Sequence, residues 1–321
     1  MSSLGRVSLV WLELERAFRQ KSGVSAQNWL SLFIVGYVLL YVALAVGAIH
    51  LLRWRRKTRW PFKESEKLLR GPGESLRRQI AELDDGLVFE IGGAITGPLL
   101  TLLFIAWISS MFGLSAGVRH GAMILGVLLA LLLSVGRTVK RLRRRADYFL
   151  GWFGERMTAE KLRPLQLDGY HVYHDVPAES GKNAFNLDHV VVGPTGVTLV
   201  ETKTRRKGNA RPGYKDYEVI FDGTRLDWPW GTDRHGIEQA VAEADWLAKW
   251  IKNCTGLNVP VRPVLSLPGW YVRESPSRTI RAANPNYLPD VIRGKGEVVL
   301  TAQQIDLISR QLDQRCRDVE E

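Results

Sequence analysis

Three long stretches without a charged side chain constrain this chain more than any other feature, because uncharged helices of that length have few stable surroundings outside a lipid bilayer. Trp29 to Leu52 gives 24 residues rich in Leu, Val, Ala and Ile, with no Asp, Glu, Lys or Arg. A second run extends from Ile91 to Val118 and a third from Gly121 to Gly136. At about 1.5 Å per residue, the first two span the roughly 30 Å hydrocarbon layer. The third, at 16 residues, needs local thinning of the bilayer or snorkelling by Arg119 and Arg137. Helices of a water-soluble core usually keep a polar stripe, and residues 30–49 have none. A cleaved leader is not expected, because the first run begins late and lacks a small-residue cleavage site.

Charge orients these segments. Arg53, Arg55, Arg56, Lys57, Arg59 and Lys63 follow the first run, and Arg137, Lys140, Arg141, Arg143, Arg144 and Arg145 follow the third. Both clusters on the cytoplasmic side give three crossings, an outer N-terminus and an inner C-terminal half. Trp29, Trp54 and Trp60 suit interfacial anchoring. Arg6, Arg16, Arg19 and Lys21 weigh against an outer N-terminus, so a surface amphipathic helix over 4–19 with a re-entrant third run is the competing topology.

The expected organisation is an N-terminal segment at 1–28 and a membrane region at 29–136 that contains a polar connector at 53–90. A polybasic linker at 137–146 and a domain at 147–321 follow. The connector has a Gly71-Pro72-Gly73 break, a helix from Glu74 to Leu83 and no evident chemistry. The expected location is the cell's inner membrane, multi-pass, with the lipid bilayer as one partner.

The formal net charge of +11 invites a nucleic-acid reading, but its placement weakens that. Residues 1–145 hold 21 Lys and Arg against 9 Asp and Glu, whereas residues 146–321 hold 23 against 24. The excess belongs to the membrane half, where topology accounts for it. Cys254 and Cys316 show no zinc or disulfide spacing and read as reduced thiols.

The remainder has alternating short apolar runs and helical patterns. A helix is expected over 146–163, with strands at 170–176, 186–192 and 197–203 and a hairpin at 217–227 turning at Asp222-Gly223. A helix at 235–253, a strand at 262–267 and a helix near 301–316 complete a mixed α/β arrangement.

The chemistry concentrates in Leu187 to Lys203, LDHVVVGPTGVTLVETK. Gly193-Pro194-Thr195-Gly196 is a turn signal between two β-rich runs. With those four residues as the loop, Val192 pairs with Val197, and counting outward puts Asp188 opposite Glu201. Facing carboxylates repel across a strand pair, and a cation between them relieves it. Oxygen ligands suit Mg²⁺ or Mn²⁺. Lys203 projects from the same face as Glu201 and would stabilise charge on a phosphate oxygen or position water. The D…ExK pattern alone is short and degenerate, and an ordinary charged surface hairpin is the competing reading.

The longer text is more specific. Asp188 through Gly196 leading into Val200-Glu201-Thr202-Lys203 resembles the nuclease-related domain, NERD, a branch of the PD-(D/E)xK nucleases. Gly154-Glu155, Tyr170 to Val176, Gln239 and Val264 to Gly269 extend the likeness over roughly 147–272. The resemblance implies a restriction-endonuclease-like core, a central mixed sheet flanked by helices, preceded here by an all-α transmembrane region. It implies that Asp188 and Glu201 bind the metal, with the Thr202 carbonyl, and that Lys203 is the catalytic lysine. Glu155 would be a further acidic ligand or water-positioning group. Gln239 matches a glutamine that some relatives carry on the helix after the core hairpin; where those show tyrosine four residues on, this chain has Glu243.

Arg205, Arg206, Lys207, Arg211 and Lys215 follow the site and would grip phosphates. Trp228, Trp230, Trp246, Trp250 and Trp270 could include a base-stacking platform, although packing suits most of them. His171 and His174 face opposite sides of a strand and make a poor ligand pair, and His189 reads as structural.

The function expected is a membrane-anchored, Mg²⁺- or Mn²⁺-dependent deoxyribonuclease, with DNA as substrate, RNA left open, and a role in DNA processing or defence against foreign DNA. A catalytically silent nucleic-acid-binding or scaffold protein on the same fold, and a lipid-binding regulator run by residues 137–145, are the alternatives.

Overall fold

The computed structural model describes residues 67–181, 183–275 and 279–319, with helical positions between 36 and 51. The expectations for residues 1–28, for much of the first apolar run and for the basic cluster after it lie outside the described residues. Two compact units are present, one of residues 1–62 and 86–141, the other of 63–85 and 142–321.

Two long helices carry the remaining apolar runs: α1 (Glu74–Met111) and α2 (Ala116–Leu162). The second expected run is therefore divided, its last residues opening α2 after a turn in which Gly113 takes φ +60°. The third run lies wholly inside α2. That helix continues through the expected linker at 137–146 and stops just before Pro164, because nothing in this Leu-, Ala- and Arg-rich text breaks it. Both helices are long and apolar enough to cross a membrane. Their large apolar side chains point outward, with Phe89 at 80% and Leu132 at 71% exposure.

The other unit is built on a five-stranded mixed sheet. Its strands are β2 (His171–Ser180), β3 (Asn183–Gly193), β4 (Gly196–Thr202), β8 (Val261–Ser266) and β10 (Arg281–Ala283). They lie in the order β10-β8-β4-β3-β2. β2, β3 and β4 run antiparallel in turn, while β4, β8 and β10 run parallel. β4 is buried along its whole length, as a strand covered on both faces must be.

One face packs Val190, Val192, Val197 and Leu199 against α3 (His235–Thr255) and α5 (Ala302–Arg315). The opposite face packs Val191, Val200 and Val264 against Leu162 and Leu165, and against Leu288 and Ile292 of α4 (Leu288–Arg293). The hairpin expected over 217–227 grows into a second sheet of β5 (Glu218–Phe221), β6 (Leu226–Trp228), β7 (Gly231–Asp233) and β9 (Tyr271–Glu274), ordered β7-β6-β5-β9.

The β3–β4 turn is tighter than its four-residue signal suggests. Val192 pairs with Val197 as expected, but Gly193 and Gly196 also pair, leaving only Pro194 and Thr195 in the loop. A side chain at Gly193 would place Cβ 2.0 Å from the Tyr170 ring, which explains why glycine stands there.

The connector also does more than its composition suggests. β1 (Lys67–Leu69) pairs antiparallel with β11 (Arg317–Val319). Beyond it, Arg70 lies 3.0 Å from Asp175. The Ser75 amide donates to the same carboxylate at 3.0 Å. The start of α1 is thereby pinned to β2.

Candidate active site

The hairpin register brings the two acids together. His189 pairs with Val200, so one step outward Asp188 stands opposite Glu201. The Thr202 amide donates to Asp188 Oδ2 at 2.7 Å, fixing that carboxylate at the end of β4. On β2, Asp175 falls between the pairs His174–His189 and Val176–Leu187, which aligns a third acid with the first two. Asp175 adopts φ 47°, unusual for a non-glycine residue, and its carboxylate binds Arg70 and Ser75.

Lys203 leaves β4 with its amide bonded to the Ser266 carbonyl at 2.9 Å. Its ammonium lies 2.7 Å from Glu201 Oε1 and donates to Gln239 Oε1 at 2.8 Å. Gln239 in turn donates from Nε2 to Glu243 Oε1 at 2.8 Å. Gln239 and Glu243 are one turn apart on α3 and share a face, so the departure from tyrosine puts a buried acid into the site. Its helical spacing from Gln239 was the available signal. Gly236 permits this approach, since a Cβ there would sit 3.0 Å from Lys203 Cγ.

Glu155 reaches the cluster from α2. Its neighbour Gly154 lies against Thr204, where an added Cβ would come within 2.0 Å of Cγ2. The close passage of helix over strand end is what aims Glu155 inward rather than at solvent, the direction an isolated helix charge would take. Thr158, one turn on, shares a hydrogen bond of 2.8 Å with Ser266.

Burial dominates the electrostatics. Glu201 is 1% exposed, Glu243 6% and Glu155 7%. The Glu155 carboxyl is pushed up to about 8 by burial, then by Asp175 and Glu201. That of Glu243 rises to about 9 by burial and by Glu201. Asp188, whose carboxyl group is enclosed, is raised well above the usual carboxylate range by burial, Glu201 and Glu155. Burial works against the Lys203 ammonium, but Glu201, Asp188 and Glu243 outweigh it and hold the group above its ordinary value. Glu155 Oε2, Glu201 Oε2 and Glu243 Oε2 are buried without a hydrogen-bond partner. Such orphans are costly and call for protons or a cation. Among the described residues, no group of three or more His, Cys, Asp or Glu is placed to hold a metal ion, so the side-chain set that could do so is smaller than three.

The basic residues beyond Lys203 are engaged internally. Arg205 pairs with Asp233 at 3.3 Å, Arg206 with Asp147 at 3.5 Å and Lys215 with Glu218 at 3.9 Å. Arg211 binds Asp227, and the Lys207 ammonium sits 5.5 Å from the centre of the Trp270 ring. The tryptophans are mainly packing: Trp228 and Trp270 are buried, Trp230 stacks on Trp228, and Trp246 stacks on Trp250 with Arg315 beside both. His189 is buried and faces His174, their Nδ1 atoms 2.8 Å apart.

Residues 150–268 match the family model of the nuclease-related domain, NERD. This part of the chain accordingly has a nuclease-like fold, a mixed sheet flanked by helices. No curated protein matches the chain. A Vibrio cholerae protein of known crystal structure is 15% identical with a TM-score of 0.25, the match covering 78% of this chain. The chain spans 58% of that protein's length.

Proposed function

We propose that this chain is a metal-dependent nuclease that hydrolyses phosphodiester bonds in DNA. The observation that carries the reading is the convergence of Asp188, Glu201 and Lys203 at the end of β4, inside a region matched by a nuclease-related family model.

Mg²⁺ or Mn²⁺ fits the residues present. The donors are all hard oxygens, and the orphaned Glu201 Oε2 and Glu155 Oε2 give it unspent acceptors. Asp188 and Glu201 would hold the ion with the Thr202 carbonyl, and Glu155 would orient a water beside it. When bound, the ion supplies positive charge to the phosphate and lowers the pKa of a water.

The chain's own groups do the rest. Lys203 keeps its proton and offers it to a phosphate oxygen that gains charge. Gln239 holds Nζ in place from α3. Glu243, carrying its own proton, accepts from Gln239 and leaves the charge of Lys203 to the reacting side. Arg205, Arg206, Lys207, Arg211 and Lys215 lie downstream, where exchange of an internal carboxylate for a phosphate would bind the backbone.

The exposed apolar surfaces of α1 and α2 support insertion into the inner membrane, and the Arg-rich turns of α2 at 137–145 support a cytoplasmic C-terminal half. Cleavage of DNA at that surface suits processing or defence against incoming DNA.

The test uses the full chain in detergent with linear, circular and single-stranded DNA, with and without Mg²⁺. Lys203→Ala and Asp188→Ala should abolish metal-dependent cleavage while their circular-dichroism melts stay near wild type. Equal cleavage by wild type and both variants rules the assignment out.

The second reading is a binding protein without turnover. The small number of convergent ligands favours it, and binding of DNA in Ca²⁺ with no product in Mg²⁺ or Mn²⁺ would select it.

A further inference from the structure

The parallel strands β4, β8 and β10 end together at Thr202, Ser266 and Ala283, and the segments leaving those ends enclose a groove of about 680 Å³. Its size is ordinary for a ligand site. Met157 of α2 also lines it, and Lys207 reaches it four residues beyond Lys203, so the groove opens at the same strand ends as the acid cluster.

Three tyrosines turn their rings to solvent along it: Tyr217 at 44%, Tyr271 at 57% and Tyr287 at 62% exposure. Large exposed rings gathered on one concave surface are uncommon unless something covers them. The walls are held from behind. The Tyr271 amide bonds to the Tyr217 carbonyl at 3.0 Å. Asn284 Nδ2 donates to the Trp270 carbonyl at 2.8 Å, and Trp270 Nε1 donates to the Arg205 carbonyl at 3.3 Å.

The charges at the groove favour an anion. Lys207 lines it over Trp270, and beyond the lining Lys215 lies 5.7 Å from the centre of the Tyr217 ring, with Glu218 at 3.9 Å as the partner a phosphate would displace. The acid of the lining, Glu274, is bound on both oxygens by Arg281 at 2.7 Å.

We infer that this groove seats a single-stranded segment of nucleic acid, its bases stacked on Tyr271 and Tyr287 and its phosphates near Lys207 and Lys215. Unpaired bases are required, because a duplex keeps base faces against one another, whereas aromatic side chains accept any exposed base face. The inference rests on the nuclease reading of the adjoining site and names the form of substrate it takes. The sequence pointed to tryptophans for this task; the tertiary structure buries Trp228 and Trp270, stacks Trp246 on Trp250, and leaves the three tyrosines exposed along the groove.

The test is fluorescence anisotropy of a labelled oligothymidylate with the full chain in detergent and Ca²⁺, alongside an abasic oligonucleotide of equal length. Tyr271→Ala and Tyr287→Ala should each weaken oligothymidylate binding by roughly 5- to 150-fold. Tyr271→Phe and Tyr287→Phe should bind as wild type, and the abasic strand should bind all variants alike. Unchanged oligothymidylate affinity in the Ala variants overturns the inference, as does an equal loss for the abasic strand. Hydrolysis of bis(p-nitrophenyl) phosphate in Mn²⁺ by wild type and Lys203→Ala separates the two readings, since it tests the acid cluster and should need Lys203. No hydrolysis by wild type would end the enzyme assignment while the anisotropy still decides the groove.

Discussion

Lys203 Nζ donates to Gln239 Oε1 at 2.8 Å, a hydrogen bond across 36 positions of sequence that joins the end of β4 to the first turns of α3. It restrains a flexible four-carbon side chain where its ammonium faces several buried carboxylates. Its loss should be felt in catalysis more than in folding. Gln239→Ala is expected to lower the DNA cleavage rate about 10-fold or more, in line with about 1.5–3 kcal/mol for a hydrogen bond to a charged group. The melting temperature should change little. A variant that cleaves at the wild-type rate would show that Gln239 does not position Lys203.

The close passage of α2 over Thr204 should be intolerant of a single methyl group. Alanine is the better helix former, yet the 2.0 Å approach to Thr204 Cγ2 is far inside contact distance. Gly154→Ala should therefore destabilise by about 1–3 kcal/mol and shift Glu155 away from the acids. Thr204→Ala in the same chain should recover part of both stability and cleavage. Additive losses, measured by a double-mutant cycle in urea, would locate the strain elsewhere.

The acid cluster makes stability fall as pH rises when no divalent ion is present. Glu155 and Glu243 have ordinary values of 4.5 in an unfolded chain and stand at about 8 and about 9 in the folded one. Between those limits the folded state holds protons that the unfolded chain has released, so unfolding becomes easier with each step upward in pH. Melting in EDTA should drop steadily from pH 5 to pH 9, and Glu243→Gln should flatten the curve. Added Mg²⁺ should raise the melting temperature more at pH 9 than at pH 6, since the ion competes with protons for the same oxygens. A pH-independent melt in EDTA would contradict the buried, protonated acids.

The basic loop should act through charge alone. Replacing Arg205, Arg206 and Lys207 together by Ala should weaken DNA binding uniformly across sequences. It should also reduce the slope of log K against log salt by about 0.7–0.9 for each phosphate left without its cation. An unchanged slope would mean that their internal partners, Asp233 and Asp147 among them, are never exchanged for phosphate.

The exposed apolar faces of α1 and α2 should hold the chain in a bilayer. Membrane fractions washed in alkaline carbonate are expected to retain it, and charged replacements at Leu128 and Leu132 should reduce that retention. Extraction by carbonate would mean that these faces pack against protein.

Local features whose signals repeat within a few residues were legible in the amino-acid sequence. The Gly193–Gly196 turn and the alternation on both sides of it were enough to put Asp188 opposite Glu201 and Lys203 beside them, because a strand alternates faces every residue and a tight turn leaves one register. The remote partners of that hairpin left no such local signal: Glu155 and Gln239 were expected only through the resemblance to NERD, and Glu243 not at all. Glu155 and Glu243 look like exposed charges on their own helices. They enter the site because Gly154 and Gly236 let α2 and α3 lie almost in contact with the strand end, and helix packing, not helix propensity, chooses the inward face. The same holds for the groove: Tyr217, Tyr271 and Tyr287 are scattered in sequence and meet only where three parallel strands finish at one edge.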